Sequence, residues 1–281
     1  VLNVLDRIRS NREDSVAFLA HRIAAHPTGA NAGDPGRSTA QTGAADVAIR
    51  TAHENDIAAR KRVAAAAAVA EIEDGMLVGL GTGSTANFAI AALGERVAEG
   101  LKVTTVATSL ATARIAEAAG LPVLPFDTFA RLDIAIDGAD ELDPQLRAIK
   151  GKGGAMLREK IVAAAAERMI VIVDASKQVT QLGRGPLPVE VLPFAAGFVS
   201  DRIERLGATV RRKMAGDACY RTDQDNIILD CEFGAIDDPL ALASALSAIP
   251  GMLGHGLFLD EIDAVYVGGS DGVIQLTRGA S

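Results

Sequence analysis

The chain has 281 residues and a formal net charge of −8, with a pI near 5.1. That length suits one large or two modest cores, and the acidic balance, with no basic stripe, argues against a nucleic-acid partner. Apolar residues make up 49% of the sequence, aromatics are scarce and alanines abundant, as in α/β proteins with closely packed helices, while no apolar run approaches the roughly eighteen residues of a membrane helix.

Residues 1–54 stand apart as an N-terminal extension. They hold three of the four histidines, His21, His26 and His53. Their middle, HPTGANAGDPGRSTAQTGAADVA, lacks helical or strand periodicity and reads as flexible. Acidic and basic residues number seven each in the first sixty, which disfavours both a transit peptide and a DNA-binding arm, although residues 3–25 look faintly helical. The sequence opens at Val1 and its first methionine is Met76, so an alternative translation start is expected; sequencing the native N-terminus tests this. The extension is assigned no catalytic role.

From Asp56 the pattern becomes regular. AARKRVAAAAAVAEIEDG predicts a helix closing at Gly75, and MLVGLGTGST predicts a strand and a glycine turn that open the helix ANFAIAALGERVAEG. LKVTTVATS and ATARIAEAAG repeat the strand–helix order. LDIAID and MIVIVDASK are buried-type strands on either side of the helix REKIVAAAAER. Strands alternating with helices of this length imply βαβ units and a parallel sheet over 55–185. After Gly183 comes the proline-rich GRGPLPVEVLPF, then a helix near 196–206, the strands ATVRRKM and NIILDCEF joined at a TDQDN turn, and the helix DDPLALASALSAI. This predicts a smaller α+β lobe over 186–260. DAVYVGGSDGVIQL then offers two strands that return residues 261–281 to the first sheet. The two cysteines, Cys219 and Cys231, lack metal-ligand spacing and read as packing residues on facing strands of a reduced, cytoplasmic protein.

Ligands of open parallel sheets bind beyond the carboxyl ends of the strands. Each predicted strand end here is polar: GTGST, Thr108-Ser109, Asp137 to Glu141, and Asp174 to Lys177. In GLGTGST, glycines let backbone N–H groups approach an anion at a helix start, and Thr82, Ser84 and Thr85 add hydroxyls. The turn has no Gly-Lys-Ser/Thr for a triphosphate, and VTTVATSL has no acid for a dinucleotide ribose, so a monophosphate fits best. The second cluster is IDGADELDPQLRAIKGKGGAMLREK. Asp137 and Asp140 flank Gly138 and Ala139, Lys150 lies in a glycine-rich turn, and Glu159 opens a helix. A carboxylate base and a fixed cation are the minimal equipment for moving a carbon-bound proton through an enediolate; an exposed salt bridge at a helix start would look the same in sequence. His255, Asp133, Asp143, Asp237 and Asp238 read as turn, capping or solvated groups.

DGADELDPQLRAIKGKGGAMLREKI, with VGLGTGSTANF, VIVDASKQV, LGRGPLPVEVLPF and GLFLDEIDAVYVGGSDGV, closely resembles the type A ribose-5-phosphate isomerases over residues 58–276. The resemblance implies a Rossmann-like α/β domain with a smaller α+β (ferredoxin-like) lobe, and an aldose–ketose isomerase acting on D-ribose 5-phosphate and D-ribulose 5-phosphate, without metal or organic cofactor, as a homodimer or homotetramer. By position it makes Glu159 the general base, Lys150 the cation on the enediolate oxygens, and Asp137 a carboxylate that engages sugar hydroxyls and assists ring opening. Asp140 lines the same site. The substrate-binding positions it implies are Lys61, Thr82, Gly83, Ser84, Thr85, Gly138, Ala139, Gly151, Gly153 and Lys177; Lys152, glycine in some members, is expected to face solvent. A sugar-phosphate-sensing regulator, an aminosugar-phosphate deaminase and a CoA transferase of similar architecture explain the acid/base set less economically.

Overall fold

The computed structural model describes residues 40–279. The predicted features of residues 1–39, including His21, His26 and the faint helix at 3–25, lie outside the described residues. Residues Ala48–Ser281 form one compact unit.

Helix α1 runs Ala40–Val69. It starts well before the Asp56 expected from periodicity, because no proline interrupts residues 36–69 and an alanine-rich sequence carries helix without a regular apolar stripe. It also ends before Gly75, which takes a positive φ of 86° in the turn ahead of the sheet. There follow β1 (Leu77–Leu80), α2 (Ser84–Ala98), β2 (Thr104–Ala107), α3 (Leu110–Ala118) and β3 (Ile134–Gly138). Short β4 (Glu141–Leu142) and β5 (Ala148–Ile149) precede α4 (Met156–Ala165) and β6 (Met169–Asp174).

The main sheet has the order β15-β14-β6-β3-β1-β2, where β14 is Ala264–Gly269 and β15 Gly272–Thr277. All its pairings are parallel except the closing β14–β15 hairpin. Every residue of β6 is buried, as expected for a strand covered on both faces. Burying each of its large apolar side chains contributes about 1.5–3 kcal/mol. The chain runs from β1 outward to β2 and then returns to β3 on the other side of β1. The crevice between the carboxyl ends of β1 and β3 is thus the topological switch point, where α/β sheets bind ligands.

The smaller layer contains β7 (Leu187–Val191), α5 (Ala196–Glu204), β8 (Thr209–Arg212), β11 (Ile227–Glu232), α6 (Pro239–Ser247) and β12 (Met252–His255). Its sheet order is β12-β7-β11-β8, antiparallel throughout. A βαββαβ chain in this strand order is the ferredoxin-like arrangement. Strand β7 falls in the segment that read only as proline-rich, with all five residues buried. A further hairpin, β9 (Met214–Ala215) with β10 (Ala218–Cys219), turns at Gly216-Asp217, and β13 (Leu257–Phe258) joins β5 and β4 in a three-stranded sheet. Cys219 and Cys231 are not on facing strands: β10 pairs with β9, and Cys231 of β11 lies opposite Leu187 and Val210. Both thiols are free and pack in the apolar core of this layer. Among the described residues, no helix is long and apolar enough to cross a membrane.

Candidate active site

A cavity of about 330 Å³ opens at the switch point. The turn after β1 forms one wall. Gly81 lies so close to β3 that a Cβ there would sit 2.0 Å from Asp137 Oδ1, and Gly83 has a φ of 114°. These two residues bend the chain into α2, so that Gly83, Ser84 and Thr85 present the helix N-terminus to the cavity. Lys61, reaching from α1, donates to Ser84 Oγ at 3.1 Å. Thr82 also lines the cavity, but its hydroxyl is committed to the protein: Oγ1 lies 2.7 Å from Thr108 Oγ1, 2.9 Å from Thr112 Oγ1 and 3.0 Å from Ser109 Oγ. This cluster of four hydroxyls fixes the turn, and Ser109 also caps α3.

The opposite wall comes from the segment after β3 and the turn before α4. Gly138, Ala139, Asp140, Lys150, Gly151, Gly153, Glu159 and Lys177 all face the cavity. So does Lys152, for which no site role was expected; its N–H donates to Asp140 Oδ2 at 2.9 Å, which turns this part of the loop inward. The sequence signal was available, since Lys152 is the second cation of IKGKGG. Lys213 and Tyr220 of the smaller layer brace the same loop, donating to the carbonyls of Lys152 and Gly153 at 2.8 and 3.2 Å.

Lys150 is 2% exposed and sits between two carboxylates, 2.7 Å from Asp137 Oδ2 and 3.3 Å from Glu159 Oε2. Its aligned hydrogen bond goes to the Gly138 carbonyl at 2.5 Å. Both carboxylates lie within ion-pair distance and share the one ammonium. Asp137 is 3% exposed and lies behind the cavity wall. Its Oδ1 accepts from the Thr82 and Gly138 N–H groups at 3.1 and 2.7 Å, so the carboxylate expected to meet sugar hydroxyls directly is occupied by the protein. Asp140 is the aspartate that faces the cavity.

Glu159 stands in the first turn of α4 on its inward stripe, with Met156, Val162 and Ala163. Burial, and then the nearby Asp137 charge, push its carboxyl up to about 8, against the opposing pull of Lys150. Burial raises Asp137 as well, against Lys150 and its backbone donors. Burial acts to lower Lys150, but the two carboxylates outweigh it and hold the ammonium in its charged form. The arrangement thus provides a poorly solvated carboxyl that titrates near neutrality beside a permanently charged cation. With Lys61, Lys150, Lys152 and Lys177, the cavity wall carries four lysines against two acids, Asp140 and Glu159. In a chain of net charge −8, that is a local reversal suited to an anion.

The remaining acids and His255 serve the fold. Asp133 accepts from Leu77 N at 2.6 Å, Asp143 holds the 143–147 turn, Asp238 caps α6, and Asp237 accepts from Gln181. His255 is buried against Ser247 and Leu257 N. Among the described residues no group of three or more His, Cys, Asp or Glu could hold a metal ion.

Comparison with known proteins agrees with this geometry. The family described as Ribose 5-phosphate isomerase A (phosphoriboisomerase A) matches residues 104–272. The ribose-5-phosphate isomerase A of Sphingopyxis alaskensis is 51% identical over 225 residues, covering 80% of this chain and 99% of that protein. Its counterpart from Gloeobacter violaceus is 50% identical over 228 residues, covering 80% and 99%. Among solved structures, ribose 5-phosphate isomerase A of Methanocaldococcus jannaschii superposes with a TM-score of 0.74 at 38% identity, over 78% of this chain and 98% of that one. A D-ribose-5-phosphate isomerase in complex with phospho-erythronic acid gives 0.77 at 38% identity, over 79% and 99%. With about half of the aligned residues identical across nearly the full length of such relatives, and with the lysine-lined cavity at its switch point, the chain belongs to the ribose 5-phosphate isomerase A family.

Proposed function

We propose that this chain interconverts D-ribose 5-phosphate and D-ribulose 5-phosphate through an enediolate, in the non-oxidative pentose phosphate pathway. The observation that carries the reading is the buried Glu159–Lys150–Asp137 cluster facing a lysine-rich cavity. The phosphate takes the α2 N-terminus, with Lys61, Ser84 and Thr85 around it and Lys177 across the cavity, where its charge meets helix dipole and ammonium groups together. This anchors the open-chain sugar so that C1 and C2 lie towards Glu159.

Glu159 in its ionised form takes the proton from C2, leaving the electron pair in the C1–C2 enediolate. Lys150 steadies the negative oxygen as it forms. The O2 proton passes to O1, and Glu159 returns its own proton to C1, giving the ketose. A carboxyl that titrates near 8 suits both halves of this transfer better than one near 4.5, because its proton is neither too loosely nor too tightly held. Asp137 holds Lys150 and the Thr82 turn in place and assists ring opening only through them, while Asp140, Gly138, Ala139, Gly151 and Gly153 complete the sugar wall. The relative bound to phospho-erythronic acid, a phosphorylated sugar acid, supports an anionic ligand in this cavity.

A cytoplasmic location and a homodimeric or homotetrameric state belong to the same proposal. Exposed Phe194, with Leu192 and Phe198 beside it, supports a subunit contact, which light scattering tests. A coupled assay for ribulose 5-phosphate, run with and without chelator, tests the reaction itself. Turnover unaffected by chelator is expected; its absence from folded protein overturns the proposal.

A further inference from the structure

Polar groups approach the ammonium of Lys150 from Asp137, Gly138 and Glu159, and an aromatic ring lies near it as well. Nζ lies 5.2 Å from the centroid of Phe258, a residue with no exposed surface. A second ammonium, Lys160 Nζ, stands 4.5 Å from the same centroid. Lys160 is itself fastened, donating to the Leu257 carbonyl and pairing with Glu261 at 3.3 Å. The backbone repeats the connection: Phe258 lies opposite Ala148 in the β13–β5 pair, and Lys150 N donates to the Gly256 carbonyl at 2.9 Å. The strand that carries the ring therefore also holds the lysine's main chain.

A leucine or methionine would keep this part of the core apolar, leaving only a small void. What an aliphatic side chain lacks is the negative π-face that attracts an ammonium. That difference matters here because Asp137 and Glu159 compete for the one ammonium, at 2.7 and 3.3 Å, while the Gly138 carbonyl holds it from a single direction. We propose that Phe258 is a positioning residue: its π-face fixes the Lys150 ammonium where it serves both Glu159 and the oxygens of the reacting sugar. This rests on the isomerase reaction and on the role given to Lys150 above. Phe258 touches no substrate and acts only through the lysine.

The test is to weaken the ring's quadrupole while keeping its shape. Phe258 is replaced in the full chain by 4-fluoro-, 3,5-difluoro- and 3,4,5-trifluorophenylalanine, with Phe258→Leu as a further variant, and kcat, KM and Tm are measured for each. Positioning through the π-face predicts a stepwise fall in kcat with fluorine number, reaching about three- to thirtyfold, with KM and Tm nearly unchanged. Phe258→Leu, where it folds, falls at least as far. A flat kcat across the fluorinated series, or wild-type kcat in the leucine variant, overturns the proposal and leaves the reaction standing. Failure of the unsubstituted protein to isomerise ribose 5-phosphate overturns both.

Discussion

Glu159 shares its helical face with Met156, Val162 and Ala163, and those apolar neighbours decide its chemistry. An exposed glutamate at the start of a helix would ionise easily, helped by the dipole. Burial reverses that preference and carries the carboxyl up to about 8. Because the base must be ionised to take a proton, kcat/KM should climb as pH rises towards 8, instead of reaching its plateau in the ordinary carboxylate range. Glu159→Gln should abolish that limb and lower kcat by roughly two to four powers of ten. The same shift fixes the sign for stability. A carboxyl whose folded pKa exceeds its unfolded value stabilises most below the unfolded value, and that contribution is lost as pH rises from about 4.5 through about 8. Thermal melts should therefore show the glutamine variant gaining on the parent across this window. A limb near pH 4.5, or a variant that turns over normally, would remove Glu159 from the mechanism. At this scale the residue types were readable, since a carboxylate, an ammonium and glycines crowd one stretch of sequence. The direction of the Asp137 side chain was not: it depends on the close approach of Gly81 and on which backbone N–H groups surround β3, and both are tertiary facts.

The turn from β1 into α2 shows what an element adds to its residues. GLGTGST reads as an anion turn, and its glycines do bend the backbone there, yet Gly81 is also required by the Asp137 carboxylate packed against it. Thr82 is drawn into the hydroxyl cluster with Thr108, Ser109 and Thr112, so the turn is anchored before any ligand arrives. Lys61 is different. It comes from α1, is partly exposed, and meets the turn through a hydrogen bond to Ser84. A phosphate contact of this kind is made equally in the ground and transition states, so Lys61→Ala should raise KM by roughly tenfold or more while kcat holds. Initial-rate kinetics decide it, and an unchanged KM would place the phosphate elsewhere. Helices and buried strands of the main sheet were legible from alternation and glycine stops. Strand β7 was not, because Pro186 and Pro188 bracket its first residue, and prolines lack a ladder donor and commonly mark loops. Here Pro188 occupies the second position of the strand, and its carbonyl accepts from Gly256 N.

The run DGADE distributes its three acids between chemistry and architecture, and only the assembled molecule shows which is which. Asp137 pairs with Lys150, and Asp140 faces the cavity and holds the Lys152 backbone. Glu141 points the other way. It is buried and accepts from three backbone N–H groups, those of Gly183, Arg184 and Gly185, at 2.8, 3.3 and 2.6 Å. Those residues belong to the LGRGPLP motif, whose chain leads directly into β7 of the smaller sheet. Glu141 therefore joins the parallel sheet's active-site edge to the antiparallel layer whose Lys213 and Tyr220 brace the lysine turn. No local pattern could assign this role, since the partners lie more than forty residues away in sequence. Removing the carboxylate strands three donors at roughly 1 kcal/mol or more each, so Glu141→Ala should cost about 3 kcal/mol in urea unfolding. Glu141→Gln, which keeps one acceptor oxygen, should cost about half as much and, below its melting range, turn over within a few-fold of the parent. A glutamine variant as stable as the parent but inactive would move Glu141 from the joint between the layers into the reaction itself.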